Sequence, residues 1–372
     1  MINGYCEEKY NPVKKIFESY FLKQEEIGAS FAIYKEGKPL IDLYGGFKNK
    51  NNNNNNNNWE ENTIVNVFSA TKGIYEIIVS ILIDQNILDL EKSVSYYWDA
   101  FKQSNKREIK LKHILSHQSG IYRFKENITQ QDLLDWNKII TILENQEPDH
   151  ACGEKTFYHA KTHGFLIGEI IKKTIKKSLG ELTSELLAKK LNLDFFIGTP
   201  KNQLQNIAFL YEDKKDSKIL SEFNAFNNPE HEINFYNKEN WQTAEIPSMN
   251  GHGNARSISK IYDTFVNDLM LEKNILLSNT SIKKCLAESI SRIDGSLMLP
   301  IRWSQVGLIL RGGWLFGKNK ESFGHNGWGG SVGFADPILR IGVAYTTNKI
   351  NPTLSSDKRI INLLKKFYEI ES

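Results

Sequence analysis

An apolar helix near residue 75 constrains this chain more than any other segment of its sequence. Branched aliphatic residues recur there at positions i, i+3, i+4, i+7 and i+8, the spacing that places them on one face of an α-helix. These residues are Ile74, Ile77, Ile78, Ile81 and Leu82. The apolar run 64–68 before them predicts a short strand. A helix with such a face must bury it, so the core of the protein has to form around this segment.

The turn between this strand and this helix carries Ser69 and Lys72. Serine is favoured at a helix N-terminus, where free backbone N–H groups concentrate positive charge. Lys72 lies three residues further on, so its amine shares a helix face with the Ser69 hydroxyl. This is the arrangement of an activated serine nucleophile. The same spacing begins at Ser257, Ser281 and Ser355, so spacing alone leaves open a helix cap followed by a solvated lysine.

Lys72 can act as a base only when its amine is uncharged. At an ordinary pKa near ~10.4, about one lysine in ~2500 is neutral at pH 7. Burial and neighbouring cations would have to lower the pKa to ~7–8, a change that corresponds to roughly 4 kcal/mol. A catalytic reading of this motif therefore requires a buried amine.

Composition narrows the class of protein. The 372 residues are 40% hydrophobic and 24% charged, which is typical of a soluble globular protein with one or two closely joined lobes. The net charge is only +3, and the basic residues are dispersed, so we expect no nucleic-acid partner. No run approaches 18 uninterrupted apolar residues, so we expect no membrane span.

Cysteine usage and the first residues of the chain indicate the compartment. Cys6, Cys152 and Cys285 are far apart and have no CxxC spacing, which favours a reducing compartment over a disulfide framework. Residues 1–11 carry two glutamates and resemble neither a secretory signal nor a transit peptide. We therefore expect a cytoplasmic protein.

Strand patterns lie towards both ends of the chain and helix patterns lie between them. The predicted strands are 28–34, 39–44, 297–301, 306–310, 330–334 and 341–346. The predicted helices, besides the apolar one, are 13–21, 130–143, 163–175, 180–191, 257–271 and 359–367. This order favours an α+β fold with an antiparallel sheet flanked by helices and an inserted all-helical lobe.

The whole chain, 1–372, is expected to form a single catalytic unit. Its strand-rich lobe would comprise about 1–68 and 272–372, and its helical lobe about 69–271. The asparagine-rich run 49–58 is low-complexity and predicts a disordered surface insert. Residues 212–242 are polar and aperiodic, which predicts an extended excursion.

Three motifs, in chain order, resemble those of serine β-lactamases, penicillin-binding proteins and esterases of the same fold. Residues 69–72 resemble the Ser-x-x-Lys element. Residues 158–160, Tyr-His-Ala, resemble the Tyr-x-Asn element of class C β-lactamases and D-alanyl-D-alanine carboxypeptidases. Residues 323–331, FGHNGWGGS, resemble the element that is Lys-Thr-Gly in β-lactamases and often His-x-Gly in esterases. The likeness spans most of residues 25–350, in particular to β-lactamase-related proteins and family VIII carboxylesterases.

The resemblance implies a β-lactamase/transpeptidase-like fold and a role for each motif residue. Ser69 would attack an acyl carbonyl, while Lys72 and Tyr158 shuttle its proton. Tyr158 would then protonate the leaving group and activate water for deacylation. His325 would stand where β-lactamases have lysine, near the acid end of the substrate and close to Tyr158.

The same resemblance implies an oxyanion site at the end of the third motif. The backbone N–H groups of Ser69 and Trp328 would hold the oxyanion, with Trp328 on the strand edge after Gly327. A side chain at position 327 would block the approach of the backbone to the substrate, which explains the glycine.

Two departures from the β-lactamase pattern bear on the substrate. Ala160 removes an amide that would hold a lactam or peptide side chain. His325 replaces a permanently charged lysine and weakens any clamp on a carboxylate near neutral pH. Both changes favour smaller, less acidic esters over penicillins or peptidoglycan.

We therefore expect a serine hydrolase, a carboxylesterase that acts on small-molecule esters or amides without a metal or cofactor. The alternatives are a β-lactamase or D-amino-acid peptidase, and a scaffold or filament-forming protein with vestigial activity. The pairs His113/His117 and His159/His163 have i, i+4 spacing but lack the glutamate of a zincin pair. The sequence leaves the physiological substrate and the oligomeric state open.

Overall fold

The computed structural model describes residues 2–50, 57–212, 224–267, 270–271, 274–275, 277–310, 316–351 and 357–372. In chain order, the strands in these residues are β1 (Ile2–Cys6), β2 (Gly28–Lys35), β3 (Lys38–Gly46), β4 (Val65–Asn66), β5 (Phe195–Ile197), β6 (Tyr211–Glu212), β7 (Gly251–Gly253), β8 (Met270–Leu271), β9 (Asn274–Ile275), β10 (Glu288–Asp294), β11 (Leu299–Ser304), β12 (Ile309–Leu310), β13 (Phe323–Asn326), β14 (Val332–Asp336), β15 (Ile341–Thr347) and β16 (Lys349–Ile350). The α-helices there are α1 (Asn11–Leu22), α2 (Ala70–Asp84), α3 (Val94–Tyr97), α4 (Leu111–Leu115), α5 (Trp136–Asn145), α6 (Thr162–Ile175), α7 (Leu179–Thr183), α8 (Lys189–Leu191), α9 (Asn224–Asn227), α10 (Ile233–Tyr236), α11 (Glu239–Thr243), α12 (Ala255–Val266), α13 (Asn279–Leu286) and α14 (Lys358–Ile370).

A nine-stranded antiparallel sheet is the centre of the fold. Its strand order is β1-β3-β2-β15-β14-β13-β12-β11-β10. The first three strands therefore come from the start of the chain and the other six from its last third, so chain ends far apart in sequence pair directly. The predicted α+β fold with an antiparallel sheet flanked by helices is confirmed, while the predicted lobe boundaries stay a prediction.

Helices cover both faces of this sheet. On one face, α1 packs against α14, and their buried side chains form one cluster with those of β2 and β15. On the other face, α12 packs on β2, β14 and β15, and α2 packs on β13. Helix α2 thus lies between the sheet and the remaining helices.

Helix α2 is buried all round, and not only on its apolar face. Every residue from position 70 to 83 is buried, including Lys72, Glu76 and Ser80. The apolar stripe predicted that this face of the helix is buried, and the structure shows that its polar positions are buried as well, so α2 is a central core helix. Four polar side chains of this helix, those of Thr71, Lys72, Glu76 and Ser80, are thereby withdrawn from water, which gives the turn before α2 low-polarity surroundings.

Several predicted elements differ from those observed. Strands β1 and β10 carry exposed polar residues and were not predicted, because they are edge strands that bury little. The predicted helix 257–271 ends at Val266, and the helix predicted over 180–191 is interrupted by a π-helix at Ser184–Ala188. The predicted excursion 212–242 contains α9, α10 and α11. Residues 51–56 of the asparagine-rich run lie outside the described residues.

A buried ion cluster fixes the start of α14 against the sheet. Arg359 is only 7% exposed. Its Nη1 lies 2.6 Å from Glu26 Oε1, and its Nη2 lies 2.5 Å from Asp357 Oδ2. Arg359 Nη2 also donates to Gly329 O at 3.3 Å. The cluster therefore ties α14 to the loop that follows β13, which belongs to the third sequence motif.

We predict that Arg359→Met destabilises the protein by about 3–5 kcal/mol, because it leaves two buried carboxylates without their cation. Urea unfolding measures this loss as a lower midpoint at an unchanged slope. Arg340→Met is the matched control, since Arg340 pairs with Glu36 at a half-exposed site and should cost less than about 1 kcal/mol. Equal effects of the two variants would contradict a structural role for the cluster.

Candidate active site

Ser69 follows a strained residue at the start of α2. Phe68 has a φ of +47°, a left-handed conformation that an aromatic residue rarely adopts. Ser69 occupies the N-cap position, but its side chain makes no capping hydrogen bond. The simple helix-cap interpretation is therefore wrong, and the hydroxyl is left for another partner.

That partner is Lys72. Lys72 Nζ lies 3.2 Å from Ser69 Oγ, and it donates to Ala160 O and Ser248 O at 2.9 Å each. Burial lowers the pKa of Lys72 to about 7, although the carboxyl of Glu76 acts in the opposite direction. The lysine is thus buried, which excludes the alternative of a solvated side chain.

The three partners of Lys72 suit a neutral amine. Carbonyl oxygens only accept hydrogen bonds, so Ala160 O and Ser248 O take the two N–H groups that an uncharged amine possesses. The nitrogen lone pair then remains for the Ser69 hydroxyl, which can donate its proton. This is the geometry that a general base for Ser69 requires.

Glu76 lies one helical turn beyond Lys72 and is also buried. Neither of its carboxyl oxygens has a hydrogen-bond partner among the described residues. Burial raises the pKa of Glu76 well above its ordinary value. The carboxyl is consequently a poor counter-charge, which agrees with an uncharged Lys72.

Tyr158 lies beside both groups. Lys72 Nζ is 5.0 Å from the centre of the Tyr158 ring. Burial raises the pKa of the Tyr158 phenol above its ordinary value, and the nearby Ser69 hydroxyl acts in the opposite direction to a smaller extent. The phenol keeps its proton at neutral pH, and within the described residues its oxygen completes no hydrogen bond. Such a group can donate a proton to a substrate atom placed between it and Ser69.

Asp294 and Trp303 hold Tyr158 in place. The backbone N–H of Tyr158 donates to Asp294 Oδ1 at 3.0 Å, and the same oxygen accepts from the backbone of residues 296 and 297. The rings of Tyr158 and Trp303 are parallel within 3°, with centroids 6.0 Å apart. The orientation of the phenol is therefore fixed by β10 and β11, which are far from it in sequence.

His325, in β13, also lies beside Tyr158. The two ring centroids are 5.9 Å apart. His325 Nδ1 lies 2.7 Å from Asn326 O, and a carbonyl only accepts, so Nδ1 carries the ring proton. Burial, followed by the nearby Lys72, lowers the pKa of His325 to about 3. At neutral pH it is an uncharged ring whose Nε2 is an acceptor, and not a substitute for the positive charge of lysine.

Gly327 and Trp328 follow β13, which ends at Asn326, so the prediction that Trp328 sits on a strand edge is wrong. A Cβ atom at position 327 would lie 2.1 Å from Val67 O. The lack of a side chain at Gly327 therefore allows the turn before Ser69 to pack against it. This turn, and not the substrate as expected from the sequence, is the close neighbour that requires a glycine. Within the described residues, the backbone N–H groups of Ser69 and Trp328 have no acceptor, as donors to an oxyanion require.

The predicted site residues thus meet in one place. A small cavity of about 30 Å³ lies beside Ser69. It is lined by Phe68, Ser69, Ala160, Lys161, Phe226, His231, Met249 and Trp328. A larger cavity, about 730 Å³, lies near Glu26 and Trp59 and includes none of the predicted catalytic residues. The site is therefore identified by the side chains that meet there, and not by the volume of its cavity.

Sequence reasoning missed Ser248, Asp294 and Lys161. Ser248 contributes a backbone carbonyl, which no residue type reveals. Asp294 stands alone before a glycine, without a spacing that distinguishes it from other surface acids. Within the described residues, no group of three or more histidine, cysteine or acidic side chains could hold a metal ion. No helix in the same residues is long and apolar enough to cross a membrane.

Comparisons with known proteins agree with this geometry. The model of the Beta-lactamase family matches residues 13–365. The esterase/beta-lactamase LipL of Mycobacterium tuberculosis is 26% identical over 372 residues, covering 95% of this chain and 85% of LipL.

Two solved structures are similar over their full lengths. The crystal structure of a family VIII carboxylesterase has a TM-score of 0.91 and 32% identity, with 100% of both chains covered. A penicillin-binding protein homologue from Caulobacter crescentus has a TM-score of 0.90 and 28% identity, again over 100% of both chains. The chain belongs to the beta-lactamase family, and it is a serine hydrolase of that family.

Proposed function

We propose that this hydrolase cleaves small, uncharged carboxylic esters through an acyl-enzyme on Ser69. The observation that carries the proposal is the set of three hydrogen bonds at Lys72 Nζ, which suits an amine that takes a proton from Ser69. The esterase named among its relatives and the family VIII carboxylesterase structure support an ester as the substrate.

In the acylation step, Lys72 takes the Ser69 proton while Ser69 Oγ attacks the carbonyl carbon of the ester. The carbonyl oxygen becomes negative and accepts hydrogen bonds from the backbone N–H groups of Ser69 and Trp328. One donor of this kind is typically worth about 2.7–4 kcal/mol in the transition state. Because the two donors belong to backbone held by α2 and the end of β13, they need no rearrangement during the reaction.

Collapse of the intermediate expels the alcohol. Tyr158 gives its phenolic proton to the leaving oxygen and receives the proton held by Lys72, which lies over its ring. A water molecule then attacks the acyl carbon, with its proton passing to the Tyr158–Lys72 pair, and Ser69 recovers its own. The proton balance closes without any group outside the site.

The surroundings of Ser69 favour a small and uncharged substrate. The cavity beside it holds about 30 Å³, and its wall carries Ala160 where class C β-lactamases have asparagine. His325 is neutral at working pH because its pKa is about 3. A carboxylate on the substrate would find no permanent cation in the third motif.

We predict a covalent adduct on Ser69 after incubation with a short-chain p-nitrophenyl ester or a fluorophosphonate, detected by intact mass and absent from Ser69→Ala. Ester turnover should exceed that of a chromogenic cephalosporin, since neither Ala160 nor His325 offers the groups that hold a lactam. Faster cephalosporin turnover would favour a β-lactamase instead. Absence of any adduct, with high-molecular-weight assembly unchanged in Ser69→Ala, would favour a scaffold protein.

We predict that Lys72→Ala abolishes labelling of Ser69 by the fluorophosphonate. In the wild-type enzyme, kcat/KM should fall about tenfold per pH unit below pH 7, because only the neutral amine accepts the serine proton and its pKa is about 7. Lys260→Ala is the matched control, since Lys260 ends another Ser-x-x-Lys sequence outside the site. Normal labelling of Lys72→Ala would remove this residue from the role of base.

We predict that Tyr158→Phe lowers kcat by roughly 10²–10⁴-fold, the usual contribution of a positioned acid–base group. The ring remains, so its stacking on Trp303 should keep the fold intact. Steady-state kinetics and thermal unfolding, measured beside Tyr96→Phe at a 68% exposed position, separate the two effects. A loss below tenfold would make the phenol structural.

A further inference from the structure

The wall of the cavity beside Ser69 contains a second buried amine, which the proposed mechanism does not use. Lys161 precedes α6 and is only 2% exposed. No ion pair within the described part of the chain includes it, and burial lowers the pKa of Lys161 to about 7. Burying a lysine without an acidic partner is costly, so its contacts call for an explanation.

The contacts of Lys161 are two backbone carbonyls of one segment. Lys161 Nζ donates to Phe226 O at 2.7 Å and also to Pro229 O. In the part of the chain that the structure describes, no hydroxyl group pairs with Lys161 as Ser69 does with Lys72. Lys161 is therefore placed to hold a backbone segment and not to activate a nucleophile.

The segment that it holds, residues 226–231, forms one wall of the cavity. Phe226 lies against Tyr158, with ring centroids 6.1 Å apart, and His231 lies against Trp328 at 4.9 Å. Phe226 therefore contacts Tyr158, the proposed proton donor. His231 contacts Trp328, whose backbone N–H is a proposed oxyanion donor. Any outward movement of the segment would enlarge a cavity that is now about 30 Å³.

The hydrogen bonds between Lys161 and residues 226–231 are stable because they satisfy both the buried amine and the two buried carbonyl oxygens. A carbonyl oxygen buried in an apolar wall without a donor loses about 1–3 kcal/mol. Two such oxygens share the one amine, and the amine in turn has no other acceptor among the described residues. Removing the amine leaves both carbonyls unsatisfied, so the segment would gain by turning them towards water.

We propose that Lys161 is a specificity-determining residue, which limits the length of the ester that fits by holding residues 226–231 beside Ser69. The inference rests on the proposed ester hydrolysis and concerns which esters fit. It predicts that the wild-type enzyme prefers acetate and propionate esters, and that the preference depends on this amine rather than on the catalytic groups.

The test compares Lys161→Met with the wild-type protein on p-nitrophenyl esters from acetate to octanoate. Methionine retains the apolar stem but removes the amine. The ratio of kcat/KM for hexanoate to that for acetate should rise at least about tenfold, mainly through a lower KM for hexanoate, the scale of hydrophobic pocket discrimination. Lys173→Met, at an exposed site on α6, is the matched control and should leave the ratio unchanged.

A second readout does not depend on activity. Hydrogen exchange measured by mass spectrometry should become faster in residues 224–231 of Lys161→Met, while α2 remains protected. Equal exchange of residues 224–231 in the wild-type protein and in the milder variant Lys161→Gln would contradict the role of Lys161, also where Lys161→Met fails to fold.

The outcomes separate the two proposals. A wild-type protein that hydrolyses no ester contradicts the proposed function, whatever the exchange data show. A wild-type protein that hydrolyses esters, with an unchanged chain-length ratio in Lys161→Met, contradicts the role of Lys161 alone. A uniform loss of kcat on every ester would also contradict it, since a length limit acts on KM and on long chains.

Discussion

The withdrawal of Lys72 from water is the constraint on which the rest of this active site depends. A lysine on the surface would keep its charge and offer no lone pair to Ser69. Here two backbone carbonyls take the N–H groups, burial disfavours the ammonium form, and the serine oxygen occupies the third direction. Packing alone therefore favours the neutral amine that the proposed role of Lys72 as base requires.

The architecture supplies this packing by enclosing α2 on all sides. Gly73, the residue after Lys72, shows how closely its neighbours approach. A Cβ atom there would lie 2.0 Å from Tyr262 Oη on α12 and 3.1 Å from the Cβ of His325 on β13. A larger residue would push apart the nucleophile helix and the third motif. The glycine at this position is therefore as much a part of the site's geometry as the lysine before it.

The sequence could predict the parts of the site that depend on local spacing. Ser69 and Lys72 share a helix face whatever surrounds them, and the central helix and the 28–46 hairpin follow from periodicity. The carbonyls of Ala160 and Ser248 lie 88 and 176 residues from Lys72 and have no sequence signature. Resemblance brought Tyr158 and His325 to the same site, but it could not show their protonation.

Protonation is where the tertiary structure adds most to the chemistry. Tyr158 and His325 are both buried, and burial favours the neutral form of each: it raises the pKa of the phenol and lowers that of the imidazole. In molecules in which Lys72 is also neutral, these three side chains carry no charge before the reaction begins. In the proposed mechanism, charge then appears when Ser69 attacks, on the oxyanion and on Lys72, next to groups that are already oriented. A low-polarity site of this kind strengthens those interactions where the transition state forms them, which is the condition for catalysis rather than mere binding.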